Sequence, residues 1–319
     1  MYLIHSIRAF VHRVHPTNRR KRIFYICLFL CLPTFITLGS WLEITFVGKN
    51  VSFQVPAEIT FALDLSGVNS ENIYIKKSKD DLNGVRVSKS QKEFKATYAF
   101  PGYYKAQLIA DNELLKVNDV FVKSFGWVAT LNKSGTIEYL NKSDIKCDAM
   151  IGLSADKLKE IESQITAPTL TFHYFDQINP VSGLDFTLET RLRSTFNSYG
   201  APCKRIKLEI VGTNSTFLIP LSISACSVEG PILIAGQEFY PTQIDLRSLQ
   251  TDYSQWQKVK MEVNGGLAKF YIADKHKLTL PVRASIGQIV GFRYHFEGAG
   301  EVDFVKLTDT REVIYAAPF

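Results

Sequence analysis

Apolar and polar residues alternate along most of this chain from residue 51 onward. "VSFQV" and "ITFALDL" set Val51, Phe53 and Val55, then Ile59, Phe61, Leu63 and Leu65, on one face. "KEFKATYAF" and "YKAQLIA" continue the pattern through Phe94, Ala96, Tyr98, Tyr104, Ala106 and Leu108, and "VNDVFVKS" closes the segment. Period two is the mark of a strand with one face in a core. Several such runs separated by turn-rich pieces such as "KSKDDLNG" predict a small β-sandwich over 48–125.

From Thr169 the alternation resumes and runs to the end of the chain. "DFTLETRLRS" points Phe186, Leu188, Thr190 and Leu192 inward and Glu189, Arg191 and Arg193 outward. "RIKLEI", "TFLIPLSI", "WQKVKMEV", "LAKFYIA", "QIVGFRYHF" and "EVDFVKL" follow, with Asn264-Gly265-Gly266 between two of them as a hairpin turn. About ten strands over residues 169–319, without an amphipathic helix, predict a two-sheet jelly roll. Residues 126–168 read as a connector. They hold two short strands, "GWVATL" and "IEYL", and one helix with Ser154 as N-cap, Asp156 in its first turn, and Leu158, Ile161 and Ile165 on one face.

The N-terminus breaks this pattern. Ile23 to Leu42 contains no charged residue and follows the cluster "RRKR". Twenty residues of helix span about 30 Å, the thickness of a bilayer's hydrocarbon core. With cations on one side only, the positive-inside rule holds residues 1–22 in the cytoplasm and sends everything after Leu42 outside. The alternative is a cleaved signal peptide, against which stand the length of the apolar run and the lack of an A-x-A site. Both readings export the remainder.

Composition adds little beyond this. Apolar residues make up 46% and charged residues 21% of the 319, as in globular chains. The net charge of +6 resides wholly in the tail, on Arg8, Arg13, Arg19, Arg20, Lys21 and Arg22. Residues 23–319 are neutral, so no basic excess points to nucleic acid. Cys27 and Cys31 lie in the apolar span. Cys203 and Cys226 flank a strand–turn–strand that would bring them side by side, and an oxidising compartment would let them pair. Two buried free thiols are the alternative. Cys147 is left over, free or paired between chains.

Three resemblances follow from these patterns. "YAFPGYYKAQL" meets Tyr-x-x-Pro-Gly-x-Tyr-x-x-x-Leu with Tyr98, Pro101, Gly102, Tyr104 and Leu108. In this the first domain resembles the PKD domain, an Ig-like sandwich, although the family's Trp-Asp-Phe-Gly-Asp-Gly run is missing. The resemblance implies a spacer or interaction module. The order "FTLETRLR", "WQKVKMEVNGG", "GEVDFVKLTD" is similar to the concanavalin A-like lectin/glucanase superfamily, including its laminin-G-like modules. The whole arrangement resembles membrane-anchored surface proteins of Bacteroidetes-type bacteria.

The glucanase branch of that superfamily carries Glu-x-Asp-x-x-Glu on a strand, and "GEVDFVKL" nearly spells it with Glu301 and Asp303. The third carboxylate is absent: Lys306 stands there, or Val305 in the shorter spelling. A retaining glycosidase needs a nucleophile and an acid, so the strand is read as structural. His173, His276 and His295 are scattered, with no metal-ligand spacing. For calcium only the loop acids Asp176, Asp185 and Asp245 are candidates. Phe172, Tyr174, Phe175, Phe239 and Tyr240 could stack on sugar rings or serve as core.

The expectation is therefore an all-β chain with an N-terminal transmembrane helix, a PKD-like sandwich and a lectin-like jelly roll. It is expected to be non-catalytic, without a cofactor, and to bind carbohydrate or an envelope protein. The alternatives are the ectodomain of a signalling complex and a divergent glycoside hydrolase.

Overall fold

Alternation becomes pairing in the first domain. This computed structural model describes residues 43–50, 55–164, 166–176, 178–197, 199–224, 226, 230–309 and 312–318. Strands β1 (Thr45–Asn50), β2 (Ala57–Asp64) and β5 (Glu93–Tyr98) form one sheet. Strands β4 (Val85–Val87), β3 (Ile73–Lys76), β6 (Gly102–Ala110) and β7 (Glu113–Val122) form the other. Ile59, Phe61, Leu63 and Leu65 are buried, as the period-two pattern requires, and meet Ile73, Ile75, Leu108 and Val120 from the facing sheet. Tyr98 and Tyr104 pack ring to ring with centroids 4.7 Å apart, and Leu108 is fully buried beneath them. The strand β1 begins before residue 48, so the sandwich reaches back almost to the apolar span. That span, the basic tail and residues 51–54 lie outside the described residues; among those described, no helix is long and apolar enough to cross a membrane.

Among the described residues, the second domain is a two-sheet sandwich of 16 strands in two sheets of eight. The first sheet runs β17 (Gln237–Phe239), β16 (Ile232–Ile234), β15 (Thr216–Leu221), β14 (Ile206–Gly212), β21 (Ile289–Glu297), β12 (Thr169–Tyr174), β8 (Trp127–Lys133), β9 (Thr136–Tyr139). The second runs β10 (Ile145–Cys147), β11 (Ile151–Leu153), β22 (Gly300–Thr308), β13 (Phe186–Ser194), β18 (Gln257–Asn264), β19 (Leu267–Ile272), β20 (Lys275–Pro281), with β23 (Val313–Pro318) also beside β22. Phe186, Leu188, Thr190 and Leu192 face inward from β13, and Phe217, Phe270, Phe292 and Phe296 fill the space between the sheets. The Gly265-Gly266 turn joins β18 to β19 with both residues at positive φ, 53° and 75°, the hand that a two-residue hairpin needs.

The stretch 126–168 is not a connector outside the sandwich. The strand β8 pairs with β12 along its length, and β11 pairs with β22, so this stretch supplies an edge to each sheet. Helix α1 (Ala155–Glu162) lies between them, capped by Ser154, whose side chain accepts from Lys157 N, with Ile161 buried against the core. Ile165 falls outside the described residues. Strand β23 follows β22 and pairs against it. Cys203 and Cys226 are bonded, Cα–Cα 5.6 Å, and join the start of β14 to the segment after β15.

Candidate functional site

The spelling that suggests a glucanase lies on the second sheet, and its carboxylates are already engaged. On β22, Val302, Val305 and Leu307 point inward, while Glu301 and Asp303 face out. On β13, Arg193 stands opposite Glu301 and Arg191 opposite Phe304, next to Asp303, the outward positions that alternation assigns. Arg193 donates to Glu301 at 2.7–2.8 Å, and Lys146 pairs with the other oxygen of the same carboxylate. Arg191 Nε donates to Asp303 at 2.6 Å. Both guanidinium groups also lie over the Trp256 ring, at 4.6 and 5.5 Å from its centroid. A β-bulge at Asp303 separates the two carboxylates in register. Each carboxylate is clamped by cations; none is placed as a proton-donating acid.

Other residues singled out from sequence separate in the same way. Phe172, Phe175 and Phe239 are core, and Tyr240 is exposed with its hydroxyl on Glu238. Asp245 accepts from the Arg247 backbone and guanidinium. No group of three or more His, Cys, Asp or Glu that could hold a metal occurs among the described residues.

The first sheet does bring two of the scattered histidines together. His173 on β12, Arg293 on β21 and Glu209 on β14 are register partners, forming one outward row across three strands. Thr171, His295 and Lys207 form the next row. The alternate positions Phe172, Tyr294 and Leu208 point into the core, which fixes the facing of both rows. Arg293 Nη1 donates to Glu209 Oε2 at 2.9 Å, and His295 Nε2 reaches the same oxygen at 3.3 Å. Thr171 Oγ1 stands 3.1 Å from His295 Nδ1, so each ring nitrogen of His295 has a polar partner.

Electrostatics sharpen this arrangement. Burial alone would push the Glu209 carboxyl up; the Arg293 guanidinium and the His295 imidazole more than reverse it and hold it at about 2. His173 is buried, stacks on Phe100 with centroids 5.6 Å apart, and lies 3.0 Å from Thr130 Oγ1 through Nε2. Its Nδ1 is buried and has no hydrogen-bond partner among the described residues. Desolvation, then the nearby Arg293 and His295, hold it well below the usual histidine range and keep it neutral.

Phe100 belongs to the first domain, and with it the Ala99–Gly102 turn sits on this row. Arg293 Nη2 donates to Pro101 O at 2.8 Å, and Tyr139 OH donates to Ala99 O at 2.9 Å. Gly102 leaves room for that guanidinium: a Cβ would come 2.7 Å from Arg293 Nη2 and displace it. The crossing between domains is latched as well, since Ser124 N donates to Phe175 O at 2.7 Å and Phe175 N donates to Ser124 Oγ at 2.8 Å.

Two clefts flank the row, and Glu209 and Thr216 line both. One, of about 480 Å³, lies on the second domain, with Leu218 and Leu233 as an apolar shelf and Arg205, Lys207, His295 and Glu297 as polar rim. Arg205 Nη1 donates to Glu297 at 2.9 Å, which holds that rim in place. The other, of about 180 Å³, lies between the domains, with Lys79, Tyr103 and Lys105 on one side and Asn214 and Arg293 on the other. A larger cleft of about 850 Å³ opens at the junction along Trp127, Leu140 and Ile145, but no acid or imidazole among the described residues lines it.

No family model matches the chain. No curated protein matches it either. Among solved structures, it is similar to an alginate lyase from Corynebacterium sp., at 12% identity over 58% of this chain and 94% of that one, TM-score 0.35. It is similar to the carbohydrate-binding module CBM66 from Bacillus subtilis, at 12% identity over 58% and 96%, TM-score 0.33. It is also similar to the VIP36 exoplasmic/lumenal domain in a Ca2+/Man-bound form, at 8% identity over 58% and 84%, TM-score 0.34. Likeness at this level does not bear on ligand or catalysis.

Proposed function

We propose that the chain is a non-catalytic carbohydrate-binding protein of the cell envelope. In this reading residues 23–42 anchor it, the first domain is a PKD-like spacer, and the second takes sugar in the cleft of about 480 Å³. The carrying observation is the pairing of an apolar shelf, Leu218 and Leu233, with planar polar side chains already oriented by their own ion pairs. A pyranose ring offers an apolar CH face and a rim of hydroxyls, and such a cleft meets both. Groups fixed before binding lose little freedom on binding. The disulfide supports an oxidising, exported location.

The same ion pairs favour binding over catalysis. A carboxylate held at about 2 is a feeble base near neutral pH and has no proton to donate as an acid. Probing a glycan array with the full chain in detergent micelles tests the reading. Reproducible sugar binding that falls at least tenfold in Lys207→Ala and His295→Ala is the expected result. Release of reducing or unsaturated ends from a bound glycan would replace this reading with an enzyme.

A further inference from the structure

His173 is the one buried histidine among the described residues, and it sits where the two domains meet. Its ring stacks on Phe100, carried across the seam by the first domain's Ala99–Gly102 turn. Nε2 is taken by Thr130 Oγ1 at 3.0 Å, whereas Nδ1 has no partner among the described residues. A neutral ring can donate through Nε2 and leave only a lone pair at Nδ1. An imidazolium carries a proton on both nitrogens and would bury one N–H without an acceptor. The surroundings give such a cation no relief. The strand β21 brings Arg293 and His295, β14 brings Glu209, and β9 brings the Tyr139 hydroxyl. Thr130 and Val128 stand beside the ring on β8, and the first domain adds Phe100 and Tyr104, whose hydroxyl donates to Phe100 O. Glu209 is the one acid in this set. Arg293 stands between it and His173 in the row, and its Oε2 already serves Arg293 and His295. Farther out, Lys79, Asp80 and Lys105 line the cleft that Arg293 lines, and Lys123 and Lys142 the cleft that Thr130 lines.

A proton on His173 and a closed seam therefore exclude each other. We infer that the seam is an acid-release joint: when His173 takes up a proton, the Ala99–Gly102 turn leaves the His173–Arg293 row, and the two domains part there while each stays folded and the Ser124 crossing still joins them. The cleft of about 180 Å³ between the domains comes apart with it. None of this depends on the larger cleft holding a sugar. Burial, then Arg293 and His295, keep the ring neutral in the closed form, whereas the open form takes a proton near the ordinary value of about 6.5. The seam is thus closed above pH ~6.5, and each unit below it moves the ratio of open to closed up by as much as about tenfold. Glu209, held at about 2, keeps its charge and its ion pair through this window and is not the trigger.

Hydroxyl-radical footprinting of the full chain in detergent micelles, from about pH 7.5 to about pH 4.5, tests it. Oxidation of Phe100 is read against Leu82, which is 90% exposed whether the seam is open or closed, and against Phe61 and Phe186, which are buried in the two separate cores. Phe100 oxidation should rise severalfold below pH ~6 while Phe61 and Phe186 stay protected, and it should fall again when neutral pH is restored. His173→Gln keeps a neutral hydrogen-bonding group beside Thr130, and His173→Phe keeps a ring against Phe100. Neither side chain titrates, so Phe100 oxidation in both variants should be flat across the range. A flat response in the parent overturns the joint. So does the same rise in parent and both variants. A rise of Phe61 and Phe186 together with Phe100 makes the event acid unfolding and overturns it too. Loss of the rise in His295→Gln but not in His173→Gln overturns the assignment to His173.

Discussion

Arg293→Met removes the guanidinium at the centre of the seam. The side chain makes three contacts: the ion pair to Glu209 at 2.9 Å, the hydrogen bond to Pro101 O at 2.8 Å, and a position 4.7 Å from the Phe175 ring centroid. Glu209 is held at about 2 against an ordinary 4.5, which corresponds to roughly 3 kcal/mol of folded-state stability at neutral pH. Methionine keeps much of the apolar contact and leaves the carboxylate buried with only His295, so the loss at pH 7 should be about 3–5 kcal/mol. The folded-state value is depressed, so the stability is present above pH ~4.5 and lost as pH falls towards ~2. Between pH 7 and pH 3 the gap between parent and variant should therefore narrow by roughly 2 kcal/mol. Urea denaturation at both pH values, followed through Trp127 and Trp256 fluorescence, measures it. An unchanged gap would refute the pairing of Arg293 with an ionised Glu209.

Four further outcomes follow from the same contacts. His173 is held neutral, so its unfolded form takes up a proton below pH ~6.5 that the folded form refuses; stability should fall by up to about 1.4 kcal/mol per pH unit there, and His173→Phe should flatten that slope in urea midpoints from pH 8 to 5. Replacing Cys203 and Cys226 by serine should cost about 3 kcal/mol, read as a lowered urea midpoint under non-reducing conditions. Gly102→Ala should push Arg293 off Pro101 and speed proteolytic nicking near Gly126 while each domain keeps its own unfolding transition. Glu301→Gln, which leaves Lys146 and Arg193 facing each other, should cost about 2 kcal/mol in thermal melts and leave glycan affinity unchanged, since it lies on the opposite sheet; loss of a β-glucan turnover on this substitution would contradict that placement.

The strands of both sandwiches are legible because each long run alternates without interruption: Phe186 to Leu192 and Ile59 to Leu65 are buried as their spacing demands. The arginines that clamp Glu301 and Asp303 are legible too, as the outward positions of β13. Less visible are β10 and β11, three residues each, whose place depends on partners far along the chain. Glu209, Arg293 and His295 are hidden for the same reason. Each is an outward polar residue on its own strand, indistinguishable from one facing solvent. Only the pairing of β12, β21 and β14 sets them in adjoining rows, and only the docking of the Phe100–Pro101 turn buries part of them. The glucanase spelling misleads in the opposite sense, because a local string says nothing of the cations opposite it.

The edge strands drawn from 127–153 have a consequence for how this domain could be moved between proteins. A cassette excised at Thr169, where the long alternating runs begin, would leave behind the outer strand of both sheets and the helix between them. Its exposed backbone along β12, and near Val302 on β22, would then be a template for a neighbouring molecule's strand. The portable unit begins at Ser124, whose hydrogen bonds to Phe175 belong to the second domain as much as to the first.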